Sequence, residues 1–219
     1  MNEIYLGAVY DAMRLLGYRD QQFYINIKPM GGYEHLICGP AFTTYGRVVS
    51  REENYSALDN IRLQMYKKDY FRNRPIVLLQ ANDDYCAHSG DITSSIYQAL
   101  GATGFITDGV VRDIEKINSI KFPVFCQDVN PIDALDYWAL TDFEKNIVIK
   151  GVEIKPGDMI YASKDGVIRV PKKDFKEFSI KLNFILDKEN QARELINKLN
   201  SSDSLIASCE DFVKSNGRW

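Results

Sequence analysis

Histidine is scarce in this 219-residue chain: only His35 and His88 occur. A multi-histidine metal centre is therefore excluded, and any Ser-His-Asp relay would depend on one of two positions. Cys38, Cys86, Cys126 and Cys209 lie far apart and form no Cys-x-x-Cys pair, which argues against a zinc knuckle or a thioredoxin-type dithiol. Cys38 and Cys126 sit in apolar runs, so both are expected to be buried, reduced thiols. No Lys/Arg block is present and the net charge is −3, so a nucleic-acid partner has little electrostatic support. No apolar run approaches the roughly 20 residues that span a bilayer. The start, Met1-Asn2-Glu3-Ile4-Tyr5, lacks the basic and apolar regions of a secretory signal. The expectation is a cytoplasmic protein with no membrane contact. Phosphate-cradling Gly-x-x-x-x-Gly-Lys-Ser/Thr, Gly-x-Gly-x-x-Gly and the Gly-x-Ser-x-Gly elbow are all missing, so no nucleotide site follows.

What is there suits a globular α/β chain: 45% hydrophobic and 26% charged residues are ordinary for a folded domain of this length. Apolar pairs from Ile4 to Leu16 recur at helical spacing and stop at Gly17, predicting a first helix. His35 to Val49 reads as strands broken at Gly39-Pro40, because proline is confined to strand starts and edges. Ala57 to Phe71 reads as an amphipathic helix before the strand Pro75-Ile76-Val77-Leu78-Leu79. Gln80 to Asp84 is expected to be a turn with Asx hydrogen bonding. Asp128 to Glu144, with Pro131 and Trp138, resolves into no regular element and reads as a functional loop. The short apolar runs of Asn146 to Pro171, with Asp165-Gly166 between two of them, predict hairpins. From Lys172 to Ser215 the pattern is mostly helical.

The chemistry concentrates between His88 and Val129. Asp91 or Thr93 opens a predicted helix that Gly101 stops, and Gly104-Phe105-Ile106-Thr107 reads as a buried strand ending at Asp108-Gly109. Ligands gather at the carboxyl ends of strands in such sheets, and helix N-termini there offer free N–H groups to anions. Gly90-Asp91-Ile92 would present those donors, with Arg112-Asp113 arriving from the next turn. The Arg112 fork can hold a carboxylate or an enolate, and Asp113 is a hard oxygen ligand suited to Mg²⁺ or Mn²⁺. Taken alone, an adjacent Arg-Asp pair reads as a solvated ion pair. His88, three residues before Asp91, reads as a hydrogen-bonded structural histidine.

His88 to Val129, with Cys38-Gly39-Pro40-Ala41-Phe42-Thr43 upstream and Lys155-Pro156-Gly157-Asp158-Met159-Ile160 and Asp165-Gly166-Val167-Ile168-Arg169-Val170-Pro171 downstream, resembles one family. It is the family of the regulator-of-ribonuclease-activity A (RraA) proteins and the 4-hydroxy-4-methyl-2-oxoglutarate aldolases. The likeness covers roughly residues 4 to 175. Aldolases of this family are marked by an aspartate, twenty intervening residues, then arginine-aspartate; here these are Asp91, Arg112 and Asp113.

The resemblance implies a metal on Asp113, with Mg²⁺ or Mn²⁺ as the cofactor. A pyruvate-like group would bind to Arg112 and the backbone at Gly90, Asp91, Ile92 and Thr93, while Asp91 orders water on the metal. The implied activity is a metal-dependent lyase that releases pyruvate from a 4-hydroxy-2-oxo acid through an enolate, with possible oxaloacetate decarboxylation. The implied fold is a single α/β domain with a central mixed sheet, layered β/β/α like the swivelling phosphohistidine domain, over residues 1–175. Residues 176–219 would add a helical tail, and the assembly would be a homotrimer or hexamer. Ser163 stands where the family usually has an aspartate, and Arg51 to Arg74 does not match. Two other readings stay open: a non-catalytic regulator that docks on a ribonuclease, and the same enolate chemistry on a sugar-derived 2-oxo acid.

Overall fold

The computed structural model describes residues 3–31, 33, 35–50, 52–53, 55–198 and 202–216. Helix α1 (Leu6–Leu15) is followed by the short strands β1 (Tyr24–Ile25) and β2 (Lys28–Pro29) and by the long β3 (Ile37–Val48). Next come α2 (Tyr55–Met65), β4 (Ile76–Gln80), β5 (Ala87–Ser89), α3 (Asp91–Leu100) and β6 (Gly104–Thr107). The chain continues through β7 (Val110–Val111), α4 (Ile114–Ser119), β8 (Val124–Cys126) and β9 (Asp128–Val129). A β-rich stretch holds β10 (Trp138–Phe143), β11 (Ile147–Ile149), β12 (Val152–Ile154), β13 (Met159–Ser163) and β14 (Gly166–Val170), and α5 (Phe175–Lys198) and α6 (Ser202–Asn216) close the chain.

Nine strands make one mixed sheet in the order β1-β14-β13-β3-β4-β6-β8-β2, with β10 also on β3. β4 and β6 lie at its centre, parallel to their neighbours β3 and β8. Their near-continuous apolar runs are what burial on both faces demands. β3 runs unbroken through Gly39-Pro40, which corrects the expected interruption. On the β13 side Pro40 is opposite Met159, and its missing N–H faces the β4 side, where pairing begins only at Ala41. The proline therefore costs no ladder hydrogen bond.

Three further readings are corrected. Cys38 is exposed, because it takes the outward position in the alternation of β3, whereas Cys126 is buried as expected. The segment Asp128 to Glu144 does contain regular structure, β9 and β10, with Trp138 buried against Gly46, where an added Cβ would overlap the indole ring. Helix α2 stops at Met65, and Lys68–Phe71 forms a separate 3₁₀ turn.

The predicted α1, the β13–β14 hairpin and the helical tail are present among the described residues. Phe178, Leu182, Ile185 and Leu186 of α5 join one cluster with Val9 and Met13 of α1, so the helix lies on the domain. No helix among the described residues is long and apolar enough to cross a membrane.

Candidate active site

A second, smaller sheet builds the site. β5, β7 and β9 pair in parallel in the order β5-β7-β9. From their carboxyl ends leave, in turn, Gly90-Asp91, Arg112-Asp113 and Asn130 to Asp133. Parallel strands that end side by side bring three loops to one place, whatever their distance in sequence. The Arg112 N–H donates to the Ser89 carbonyl (3.0 Å) and the Asn130 N–H to the Val111 carbonyl (3.2 Å), locking the loops in register.

Gly90, rather than Asp91 or Thr93, caps α3, and Gly101 ends the helix in the left-handed region. The first helical bond is Ser94 N–H to the Gly90 carbonyl at 3.0 Å. The N–H groups of Asp91, Ile92 and Thr93 precede it and have no partner within the helix. Gly90 is required by close approach: a Cβ there would lie 2.7 Å from Asp113 Oδ2 and 3.2 Å from Arg112 Cγ. Absence of a side chain lets the arginine and its neighbouring carboxylate stand beside the helix start.

Asp113 is the unusual residue. It occupies the N-cap of α4 with φ of 63°, yet its carboxylate makes no capping hydrogen bond. Aspartate tolerates that left-handed conformation better than most residues, at some cost. A carboxylate at an N-cap ordinarily accepts from the first-turn N–H groups; this one remains 34% exposed, 3.6 Å from Arg112 Nε. Hard oxygens that face solvent and accept no hydrogen bond among the described residues fit a divalent cation whose remaining ligands are water and substrate. Asp91 is near its own cation, with Lys116 Nζ at 3.7 Å from Oδ2.

Arg112 also donates through Nη1 to Asp133 Oδ2 at 2.8 Å. The Leu135 N–H and then Arg112 hold the Asp133 carboxyl below the usual carboxylate range. Arg112 borders two hollows. One, of about 220 Å³, is lined by His88, Ser89, Gly90, Thr93, Arg112, Asp133 and Trp138 among others; the second, on the Asp113 side, includes Ile114 to Lys116 and Asn130. Ile92, in the first turn of α3, is 73% exposed. A larger groove of about 710 Å³ at the opposite end of the parallel strands has no carboxylate or histidine in its lining, so it offers no comparable chemistry.

His88 supports this arrangement from below. Its Nδ1 accepts from the Val110 N–H (3.1 Å), which leaves Nε2–H to donate to Asp83 Oδ2 (3.1 Å). Burial lowers its pKa against the opposing pull of Asp83. Burial pushes the Asp83 carboxyl up, but the Cys86 and Tyr85 N–H groups, the Cys86 thiol and His88 outweigh it and leave it below the ordinary value. Asp83, Cys86 and His88 present ligand atoms within 4.8 Å of one another. The trio is tied together by its own hydrogen bonds, His88 Nε2 and Cys86 Sγ both to Asp83 Oδ2 (3.1 and 3.4 Å), and burial followed by Asp83 pushes the Cys86 thiol up to about 12.

The His88 shift has a sign. Unfolded His88 takes up a proton near its usual 6.5, whereas the folded form resists until lower pH, so the unfolded state binds more protons in that window. Stability is full above about pH 6.5 and falls as pH drops towards the folded value. Urea denaturation near neutrality and at about pH 5 should show the loss, and His88→Gln should shrink the difference between the two.

Of the residues singled out in the sequence, Gly90, Thr93 and Arg112 line one hollow and Arg112 and Asp113 the other, whereas Asp91 and Ile92, in the first turn of α3, line neither. Asp133 and Lys116 were not anticipated. The only signal for Asp133 was its place in a segment already marked as a functional loop.

A family model described as Aldolase/RraA matches residues 7–169. The chain belongs to the RraA-like family. A protein of Halalkalibacterium halodurans named "Putative 4-hydroxy-4-methyl-2-oxoglutarate aldolase" is 30% identical over 149 residues, 67% of this chain and 64% of that one. The match thus spans slightly less than two thirds of that relative's length. Among solved structures, an uncharacterized Pseudomonas syringae protein superposes with a TM-score of 0.75 at 21% identity, over 93% of this chain and 92% of its own. Streptomyces coelicolor RraAS2, described as an unusual member of the RNase ES inhibitor RraA family, gives 0.73 at 18% identity, over 91% and 94%. At these identities the two structures establish the RraA-like fold, a single α/β domain with a mixed central sheet and a C-terminal helix.

Proposed function

We propose that this RraA-like protein is a divalent-metal-dependent lyase that cleaves a 4-hydroxy-2-oxo acid to pyruvate, and that decarboxylates oxaloacetate at the same site. The observation that carries this reading is Asp113: a carboxylate held in a strained conformation, excused from capping, and set beside an arginine and an unpartnered helix start. A vestigial site in a protein that only docks on a ribonuclease has no use for that strain. The name of the Halalkalibacterium relative supports the same reaction class.

Asp113 is the residue to hold Mg²⁺ or Mn²⁺, which when bound supplies Lewis-acid polarisation of the 2-oxo acid. The substrate's carboxylate lies against the free N–H groups of Asp91, Ile92 and Thr93 and the Arg112 fork, displacing Asp133 from part of that fork. Cleavage then removes the proton of the 4-hydroxyl. The C3–C4 bonding pair moves into the pyruvate enolate, the other fragment leaves with a new carbonyl, and C3 regains a proton. Arg112 stabilises the enolate oxygen as charge grows there. Asp91, near the Lys116 ammonium, orders the water that carries the proton. Decarboxylation of oxaloacetate breaks the bond to CO₂ instead and leaves the same enolate, so one set of groups serves both reactions. We place the protein in the cytoplasm as a homotrimer or hexamer acting on small 2-oxo acids.

The test is pyruvate release from oxaloacetate and from 4-hydroxy-4-methyl-2-oxoglutarate, with Mg²⁺ or Mn²⁺ and then with EDTA. Release that needs the metal is expected. No release from either compound, together with no metal binding by calorimetry, would overturn the lyase reading in favour of partner binding.

A further inference from the structure

His88 has no role in the steps proposed above, yet the β5–β7 pair is built around it. From the pair Ala87–Val110 to the pair Ser89–Val111, β5 advances two residues and β7 one, so His88 is the extra residue. A bulge of this kind ordinarily leaves a ladder group unpaired. Here the side chain fills the gap: the Val110 N–H donates to His88 Nδ1 at 3.1 Å. Amides two residues apart on a parallel strand point to the same neighbour, and the next one, of Arg112, donates to the Ser89 carbonyl at 3.0 Å. The imidazole is therefore a rung of the small sheet, directly before the rung that sets Arg112 beside Gly90. Gly109 makes room for it, since a Cβ there would lie 2.3 Å from Nδ1. The Trp138 indole packs on the ring with 4.6 Å between centroids.

A backbone N–H can only donate, so this rung needs a lone pair on Nδ1. The neutral ring then carries its proton on Nε2, where Asp83 Oδ2 accepts at 3.1 Å. A second proton, on Nδ1, would set two donors face to face in a buried place, and one of them must lose its partner. Around the ring, the titratable and charged groups among the described residues are Asp83, whose carboxylate also accepts from the Cys86 thiol and the Tyr137 hydroxyl, and, in the lining of the hollow, Arg62, Arg112 and Asp133. Asp83 attracts a charged ring from the Nε2 side, which does not relieve the clash at Nδ1.

We infer that His88 is a positioning residue: its neutral ring, as a rung between β5 and β7, holds Arg112 beside the start of α3, and protonation of Nδ1 releases it. The link to turnover rests on the lyase reading; the rung itself does not. Acid thus loosens the site before the nine-stranded sheet unfolds.

Two variants separate the two ring nitrogens. His88→Asn places Oδ1 where Nδ1 stands and keeps an acceptor for Val110 that does not titrate. His88→Gln reaches Asp83 with its amide and leaves Val110 without that acceptor. The first measurement is amide hydrogen exchange, read as protection factors for Val110 and Arg112 near neutrality and at about pH 5, with Leu78 of β4 and Ile106 of β6 reporting the main sheet. In wild type, protection at Val110 and Arg112 should fall about tenfold or more in acid while Leu78 and Ile106 change less. It should stay high at both pH values in His88→Asn and be low at both in His88→Gln. The second measurement is kcat for metal-dependent pyruvate release from oxaloacetate. His88→Gln should lower it about tenfold near neutrality; His88→Asn should recover most of that loss and move the acidic fall in rate to lower pH. Unchanged Val110 protection in His88→Gln, or a fall in acid that persists in His88→Asn, would overturn the rung. Protection lost at Val110 with kcat and its pH profile unchanged would overturn the link to Arg112. A wild type that releases no pyruvate removes the lyase reading alone, and protection at Arg112 then decides whether His88 positions it. The comparison of wild type with His88→Asn stands even where His88→Gln does not fold.

Discussion

Asp113→Gly is expected to lower metal-dependent pyruvate release by about a hundredfold or more, while leaving the protein as stable as wild type or more stable by about 1 kcal/mol. The two halves of this result have separate causes. Activity falls because the carboxylate that would hold the metal is gone, and stabilisation of charge developing at one well-placed group is worth about 3 kcal/mol. Stability does not fall because Asp113 sits at φ 63° without a capping hydrogen bond, a conformation that glycine adopts freely. Most substitutions that abolish activity through misfolding lower both quantities together. Parallel assays of pyruvate release and of urea denaturation would check the pair, and activity near wild type in Asp113→Gly would remove Asp113 from the site. Arg112→Ala, assayed alongside, should lose turnover by a similar factor.

The largest loss of stability is expected on the other side of the molecule. Asp158 accepts from Arg169 Nε at 2.7 Å and from the backbone N–H groups of Lys155 (2.9 Å) and Lys172 (2.8 Å). The aspartate and arginine side chains are only 4% and 10% exposed. Removing the carboxylate in Asp158→Ala strands a buried guanidinium and orphans two N–H groups, which should cost about 3–5 kcal/mol. That is a large share of the roughly 5–15 kcal/mol by which a domain is stable. The double change Asp158→Leu with Arg169→Met removes both charges and should recover much of the loss. Urea denaturation of the single and double variants decides it, and equal losses in the two would mean that the stranded charge is not the cause.

Part of the fold and of the site was legible in the sequence. Buried β4 and β6 announce themselves as apolar runs between turn residues, and α3 by its spacing and Gly101, so the spine of the sheet could be read directly. The spacing from Asp91 to Arg112-Asp113 pointed to the loops that meet at the site. β5, β7 and β9 could not be read, because strands of two or three residues are too short to show the alternation that marks a strand. Cys38 was misjudged for a related reason. An apolar run in a strand faces both ways, and only the neighbouring layers decide which side is covered. The strain at Asp113 and the pairing of Arg112 with Asp133 were likewise invisible, since both depend on how loops distant in sequence settle against one another.

The small sheet β5-β7-β9 has a consequence for how this scaffold diversifies. Its strands contribute little to the main sheet, yet everything that leaves their ends reaches the pocket. Changes there can alter the reacting groups, or erase them, while the nine-stranded sheet keeps its core and its register. Chemistry and architecture are in that sense carried by separate parts of the chain. A catalyst and a docking protein can then share one frame and differ in a few loop residues.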